Sequence, residues 1–246
     1  MVKCAPVYLL AKAAIWTAVR WIILFPGMIT RARFSLARFR LSVRKTAPLV
    51  TLGLACARTS ATGCLAATHS MTTILRAVND ELIVTGDNTY SGGTTITGGT
   101  LTADYADSLG TGVIANSGVL QVGEGELENT LSGSGSLVKT GTGELTLSGD
   151  NSYSGDTTIT GGTLTADHAD SLGTGVIANS GVLQVGEGEL ENTLSGSGAL
   201  VKTGTGELTL SGDNTYSGGT TITGGTLTAD HADSLGTGVI ANSGVL

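Results

Sequence analysis

Apolar and polar positions in this chain do not alternate over long stretches. They come in short bursts of aliphatic and β-branched residues, each closed by glycine. Leu82-Ile83-Val84, Thr94-Thr95-Ile96-Thr97, Val113-Ile114, Val119-Leu120-Gln121-Val122 and Leu137-Val138-Lys139 are such bursts. Residues of this kind favour extended backbone. Gly-Ser, Gly-Asp-Asn and Gly-Gly pairs lie between them, and these residues tolerate positive φ and reverse a chain within a few positions. The pattern predicts short strands joined by frequent turns, which cannot make long hairpins.

A longer period overlies the bursts. LVKTGTGELTLSGDN begins at Leu137 and again at Leu200, so the chain repeats every 63 residues. A period of this length marks a repeat architecture. The copies are 81–143, 144–206 and 207–246, the third stopping 40 residues in. Within a copy, Gly-X-Leu ends at Leu101, Leu120, Leu137 and then Leu164, in steps of 19, 17 and 27, which predicts three coils per copy. The expected fold class is therefore all-β, a parallel β-solenoid in which each coil adds one strand to each of two or three sheets. One coil alone buries too little apolar surface to offset the entropy of ordering it. Each coil is expected to depend on its neighbours.

Copies 81–143 and 144–206 differ at seven positions: Ile83/Thr146, Val84/Leu147, Thr85/Ser148, Thr89/Ser152, Gly93/Asp156, Tyr105/His168 and Ser136/Ala199. Just upstream, ILRAVND (74–80) aligns with LVKTGTG (137–143), keeping two apolar residues and a base but losing the turn glycines. Divergence of this sort suits an end coil with one neighbour, so the solenoid is expected to span 74–246. No divergent closing coil precedes Leu246, so the chain reads as a fragment or an interrupted gene product.

The net charge of −7 hides two opposite parts. Residues 1–73 carry ten basic residues and no acid, whereas 74–246 hold all 20 acids beside Arg76, Lys139 and Lys202. An acidic body lacks the cationic surface that phosphate binding needs, which speaks against nucleic acid as a partner. The basic part carries an export signal. Arg31, Arg33, Arg38, Arg40, Arg44 and Lys45 precede the uncharged stretch TAPLVTLGLACA (46–57), which ends in Ala55-Cys56-Ala57. A positive segment, a short apolar run and an A-x-A end describe a secretory signal peptide. Cleavage is expected after Ala57, making 1–57 a leader and 58–73 a polar spacer containing His69. Met28 is an alternative start. Lys12 and Arg20 interrupt the apolar stretch 1–30, below the length a membrane-spanning helix needs. Cys4, Cys56 and Cys64 have no CxxC spacing or paired histidines, so no zinc site is expected.

LVKTGTGELTLSGDNTYSGGTTITGGTL (200–227) resembles the autotransporter-associated β-strand repeat of bacterial passenger proteins, and DSLGTGVIANSGVLQV resembles the Leu-Gly-Thr-Gly coils that accompany it. The resemblance spans roughly 74–246. It implies a right-handed parallel β-helix, exported by a type V pathway and displayed on the cell surface or secreted, where it assists passage across the outer membrane and forms a stalk. It also implies a β-barrel translocator as partner, nothing of which is present in these residues. An adhesin contacting host or bacterial surfaces is the alternative role, and a polysaccharide-active enzyme a remote third.

Candidate chemistry is sparse, and no catalytic, cofactor-binding or metal residue is assigned. Asp87, Asp150 and Asp213, and the pairs Asp104/Asp107, Asp167/Asp170 and Asp230/Asp233, invite a calcium reading, but the G-G-x-G-x-D calcium repeat is absent. Equivalent acids, 63 residues and three coils apart, are expected about 14 Å from one another, too far to share an ion. Glu124, Glu126 and Glu128 alternate and are expected on one face. His168 and His231 sit beside carboxylates, yet Tyr105 holds the same place in the first copy. No G-x-S-x-G elbow accompanies the serines. Paired carboxylates could serve glycoside cleavage, but here they recur with the repeat, whereas an active site is normally unique. The Thr95-Ile96-Thr97 and Thr100-Leu101-Thr102 pairs lack the even ladder of an ice-binding face and suit outward strand positions. Tyr90, Tyr153 and Tyr216 are expected to pack within turns.

Overall fold

The computed structural model describes residues 40–44, 51–56, 69–74, 81–88 and 90–246. The leader and spacer assignments, including Cys4 and Cys64, fall largely outside the described residues.

From His69 onward the described chain winds as a three-sided solenoid. The faces are numbered here in the order the chain meets them from Thr94. The first carries His69–Ile74, Thr94–Ile96, Ile114–Asn116, Leu131–Gly133 and Ser152–Tyr153 in parallel, and resumes with 188–190, Glu207–Leu210 and Thr226–Ala229. The second carries Glu81–Thr85, 100–103, 119–122, Ser136–Lys139, Thr157–Ile159, Ile177–Asn179 and Leu194–Ser195. The third carries 125–127, Glu144–Leu147, 163–166, 182–185, Ala199–Lys202, Thr220–Ile222 and Ile240–Asn242. Short 3-10 turns at Ala106–Leu109, Ala169–Leu172 and Ala232–Ser234 replace a strand once per copy. Among the described residues there is no α-helix.

The burial pattern explains the strands. Leu82, Leu101, Leu120 and Leu137 stack in register up the second face, every one fully buried. Leu145, Leu164, Leu183 and Leu200 do the same on the third. Side chains two positions on also point inward, and those between face out, as a pleated strand requires. Mutual cover is visible at one repeated isoleucine. Ile114 and Ile177 are 0% exposed, whereas Ile240, in the last coil, is 38% exposed.

The expected three coils per copy need correction. Leu101, Leu120 and Leu137 do share one column, but the next residue of that column is Thr157. Leu164 lies on the third face, beside Leu145. The step of 27 is thus one coil plus one further face. A copy passes over ten faces, which is three and one-third coils. Gly-X-Leu marks an inward leucine but not which side of the rod it sits on.

The alignment of 74–80 with 137–143 also shifts. Leu137, at the end of the first copy, stands opposite Thr157 of the second, whereas Met71, not Ile74, stands opposite Thr94. Six residues, 75–80, separate His69–Ile74 from Glu81–Thr85, against four between Ser136–Lys139 and Glu144–Leu147. The shorter corner uses Gly141 at φ +72°, whereas ILRAVND has no glycine. At this end two antiparallel strands flank the sheets. Arg40–Arg44 pairs with Glu81–Thr85, and Thr51–Cys56, from the apolar run of the expected signal, pairs with His69–Ile74.

Candidate functional site

The polar chemistry of this molecule lies mostly between coils. Asn151 Oδ1 accepts from the Leu131 backbone N–H of the coil below at 2.8 Å, and its Nδ2 donates to the Ser171 carbonyl of the coil above at 2.9 Å. Asn214 repeats this with Leu194 and Ser234. Asn116 and Asn179 are fully buried and cross corners, each donating to the next coil, at Ser136 and Ala199. Each also accepts from the N–H two residues on, at Gly118 and Gly181. Asn129 and Asn192 donate to carbonyl pairs on the previous coil, Gly110 with Gly112 and Gly173 with Gly175. A buried amide with both ends satisfied fixes the stacking register of the coils it bridges. The sequence did carry a signal for these asparagines, since each returns after 63 residues within a glycine-bounded turn.

The tyrosines pack as expected. Tyr153 and Tyr216 are fully buried. Each hydroxyl is hydrogen-bonded to the threonine four residues on, Tyr153 with Thr157 at 2.7 Å and Tyr216 with Thr220 at 2.6 Å. Burial pushes the Tyr90 and Tyr153 phenols above their ordinary pKa, and the threonine hydrogen bond opposes the shift.

Lys139 and Lys202, the lysines of the repeat signature, are both 0% exposed. Each occupies an inward position; the column of Lys139 holds Val122 before it and Ile159 after it. The Lys139 ammonium donates to the Thr140 carbonyl at 2.5 Å and to the Gly161 carbonyl at 3.5 Å. Lys202 does the same at Thr203 and Gly224. A side chain on Gly162 would meet Lys139 Nζ at 2.9 Å, so the glycine at this corner of the next coil makes room for the cation. Burial lowers both ammonium pKa values, and the carboxylates of Glu124 and Glu187 work against it.

The acidic candidates do not converge. Asp87, Asp150 and Asp213 are exposed, as are Asp104, Asp107, Asp167, Asp170, Asp230 and Asp233. Because a copy is three and one-third coils, equivalent acids stand on different faces and about 16 Å apart along the axis, further than expected. Among the described residues no three His, Cys, Asp or Glu side chains are grouped as a metal site would need. Glu124, Glu126 and Glu128 do not form one row. The strand bends at Gly125, φ +108°, leaving Glu124 half-buried at the corner beside Tyr105 and Glu126 on the third face beside Thr146. Glu81, Glu144 and Glu207 accept from threonines of the following coil, Thr102, Thr165 and Thr228.

His168 Nδ1 stands 3.5 Å from Glu187 Oε1, and His231 Nε2 3.7 Å from Asp213 Oδ1 and 3.2 Å from the Ser211 carbonyl. Both imidazoles are solvent-exposed. With Tyr105 beside Glu124 at the equivalent corner, these are surface pairs repeated with the coil. The geometry describes a rod whose polar groups hold coils together.

The family model for the passenger-associated-transport-repeat matches residues 80–103, 137–166 and 200–229. The chain thus carries three segments similar to this repeat. Each full match begins on the inward leucine of a strand, Leu137 or Leu200, and includes the buried lysine, the bridging asparagine and the buried tyrosine. The chain is 35% identical over 165 residues to the adhesin BmaC autotransporter of Brucella suis biovar 1 (strain 1330), covering 56% of this chain and 5% of that protein. It is 33% identical over 162 residues to the uncharacterized lipoprotein YdeK of Escherichia coli (strain K12), covering 54% of this chain and 12% of that protein. The chain therefore spans only a small part of either relative. No solved structure matches it at a significant level.

Proposed function

We propose that the solenoid is an exported stalk of an autotransporter passenger, a non-catalytic rod that assists passage and holds other parts away from the cell. The observation that carries this is the use made of the polar side chains. The asparagines bind coil to coil and the buried lysines reach the next coil, the buried tyrosines are tied within their own turn, and the exposed acids stand apart on three faces. From Leu82 the second-face column passes through Leu101, Leu120, Leu137, Thr157, Ile177, Leu194 and Asn214 to Ser234. At about 4.8 Å per coil this rod is roughly 38 Å long. In this reading residues 1–57 are the leader, 58–73 the spacer and 74–246 the stalk, with His69–Ile74 already paired to the first coil. A β-barrel translocator is the partner that would bring it to the surface.

The test is display. The chain would be joined to a passenger-less barrel carrying a distal epitope, and versions lacking one 63-residue copy compared by antibody and protease access on intact cells. Shorter reach with retained display supports the stalk. Saturable binding of the purified chain to host cells, unaffected by reach, would favour adhesion, the role named for the Brucella relative.

A further inference from the structure

Residues equivalent in sequence never share a face in consecutive copies. Thr94, Thr157 and Thr220 open the same Thr-Thr-Ile strand, and they stand on the first, second and third faces. Ala115, Ala178 and Ala241 follow the same order, all exposed. Copies are therefore related by a screw, a rotation of about one-third of a turn with a rise of about 16 Å.

The rotation is localised. From Leu164 the chain makes two whole coils, through Leu183 to Leu200, on one face. From Leu137 to Leu164 it makes one coil and one further face, through Glu144–Leu147, Ser152–Tyr153 and Thr157–Ile159. This interval is the one the transport-repeat model matches, at 137–166 and again at 200–229. The turn of the screw resides in the transport repeat, and the Leu-Gly-Thr-Gly half adds length without rotation.

The copies are also interchangeable. Those at 81–143 and 144–206 differ at seven positions. The inward substitution Val84/Leu147 keeps an aliphatic side chain, and Tyr105/His168 lies on an exposed corner. A further copy would meet coils of the same shape on both sides.

We propose that copy number sets orientation as well as length. Adding or removing one copy turns everything beyond it by about 120° and moves it about 16 Å; three copies restore the original direction after about 48 Å. A feature carried by every copy, such as the corner holding Tyr105, His168 and His231, winds around the rod and faces a given side once in three copies. The consequence for a displayed part rests on the stalk reading; the rotation does not.

The test uses the full chain with Cys4, Cys56 and Cys64 changed to serine. Spin labels are placed at Ala115→Cys or Ala178→Cys, on different faces, each paired with Thr237→Cys. One or three extra copies of residues 144–206 are inserted after Gly206. One copy should change the two distances by amounts that a rise of about 16 Å reproduces only together with a rotation of about 120°; three should lengthen both as a pure translation of about 48 Å. Changes that a translation of about 16 Å alone reproduces with one copy would overturn the proposal. If the rotation is found but extra copies do not move a distal epitope on cells, the stalk reading fails and the screw stands.

Discussion

Asn151 and Ser171 lie on adjacent coils and are joined by a 2.9 Å hydrogen bond from the Asn151 Nδ2 to the Ser171 carbonyl. The same amide receives the Leu131 N–H from the other side, so one side chain links three levels of the stack. Replacing it by alanine leaves a donor and an acceptor without partners. Each orphaned group costs about 1–3 kcal/mol. Asn151→Ala should therefore lower the urea midpoint clearly, and Asn151→Asp should also do so, because it keeps the acceptor and loses the donor. Amide exchange at Leu131 should rise in the alanine variant. An unchanged midpoint in both variants would mean the asparagine is only a spectator of the stack.

Lys139 and Lys202 give the rod a pH dependence with a defined sign. Burial lowers their folded pKa below that of the unfolded chain. Between the lowered value and about 10.4 the unfolded state binds more protons, so stability rises with pH across that window. Tyr90 and Tyr153 act oppositely. Their folded pKa values are raised, so their contribution is complete below about 10 and is lost as pH climbs beyond it. Urea midpoints should rise towards pH 10 and then fall. The double variant Lys139→Met with Lys202→Met should flatten the rising limb and leave the falling one.

Two glycines with similar positive φ contrast open space with close approach. Gly141 has φ +72° and nothing within 4 Å of where a Cβ would sit, so Gly141→Ala carries only the left-handed penalty, about 1–2 kcal/mol. Gly173 has φ +66°, and its Cβ would come 2.5 Å from the Tyr153 carbonyl oxygen and 2.8 Å from the ring. Gly173→Ala should cost visibly more, read as a lower thermal midpoint than that of Gly141→Ala. Equal losses would mean that the coil spacing at Tyr153 yields freely.

Strands, solenoid and repeat length were legible because inward leucines and turn glycines recur at fixed offsets. The rotation between copies was not. Leu137 and Leu164 look alike in sequence, and only the pairing of Leu137 with Thr157, a polar-looking residue taking an inward place, shows that the column passes elsewhere. Lys139 was hidden for a similar reason. A lysine reads as surface unless the corner glycines that make room for it in the next coil, Gly161 and Gly162, are known to lie against it. The glutamate row failed because alternation stops at a bend that a left-handed glycine, Gly125, introduces.

Two strands from before Ala57 pair with the first coil. Thr51–Cys56 runs antiparallel to His69–Ile74, whose other edge faces Thr94–Ile96. Arg40–Arg44 lies likewise along Glu81–Thr85, opposite 100–103. Amides of a strand between two partners point alternately to either side, so about half of those in 69–74 and 81–85 depend on residues before Ala57. If export removes the leader after Ala57, those amides lose their partners and the two edges become open to pairing with another chain. Hydrogen exchange followed by mass spectrometry on the full chain and on the processed protein should show faster exchange at 69–74 and 81–85, with no change at Ile114–Asn116 or beyond. Identical exchange in the two forms would show that Arg40–Arg44 and Thr51–Cys56 do not hold these edges in solution.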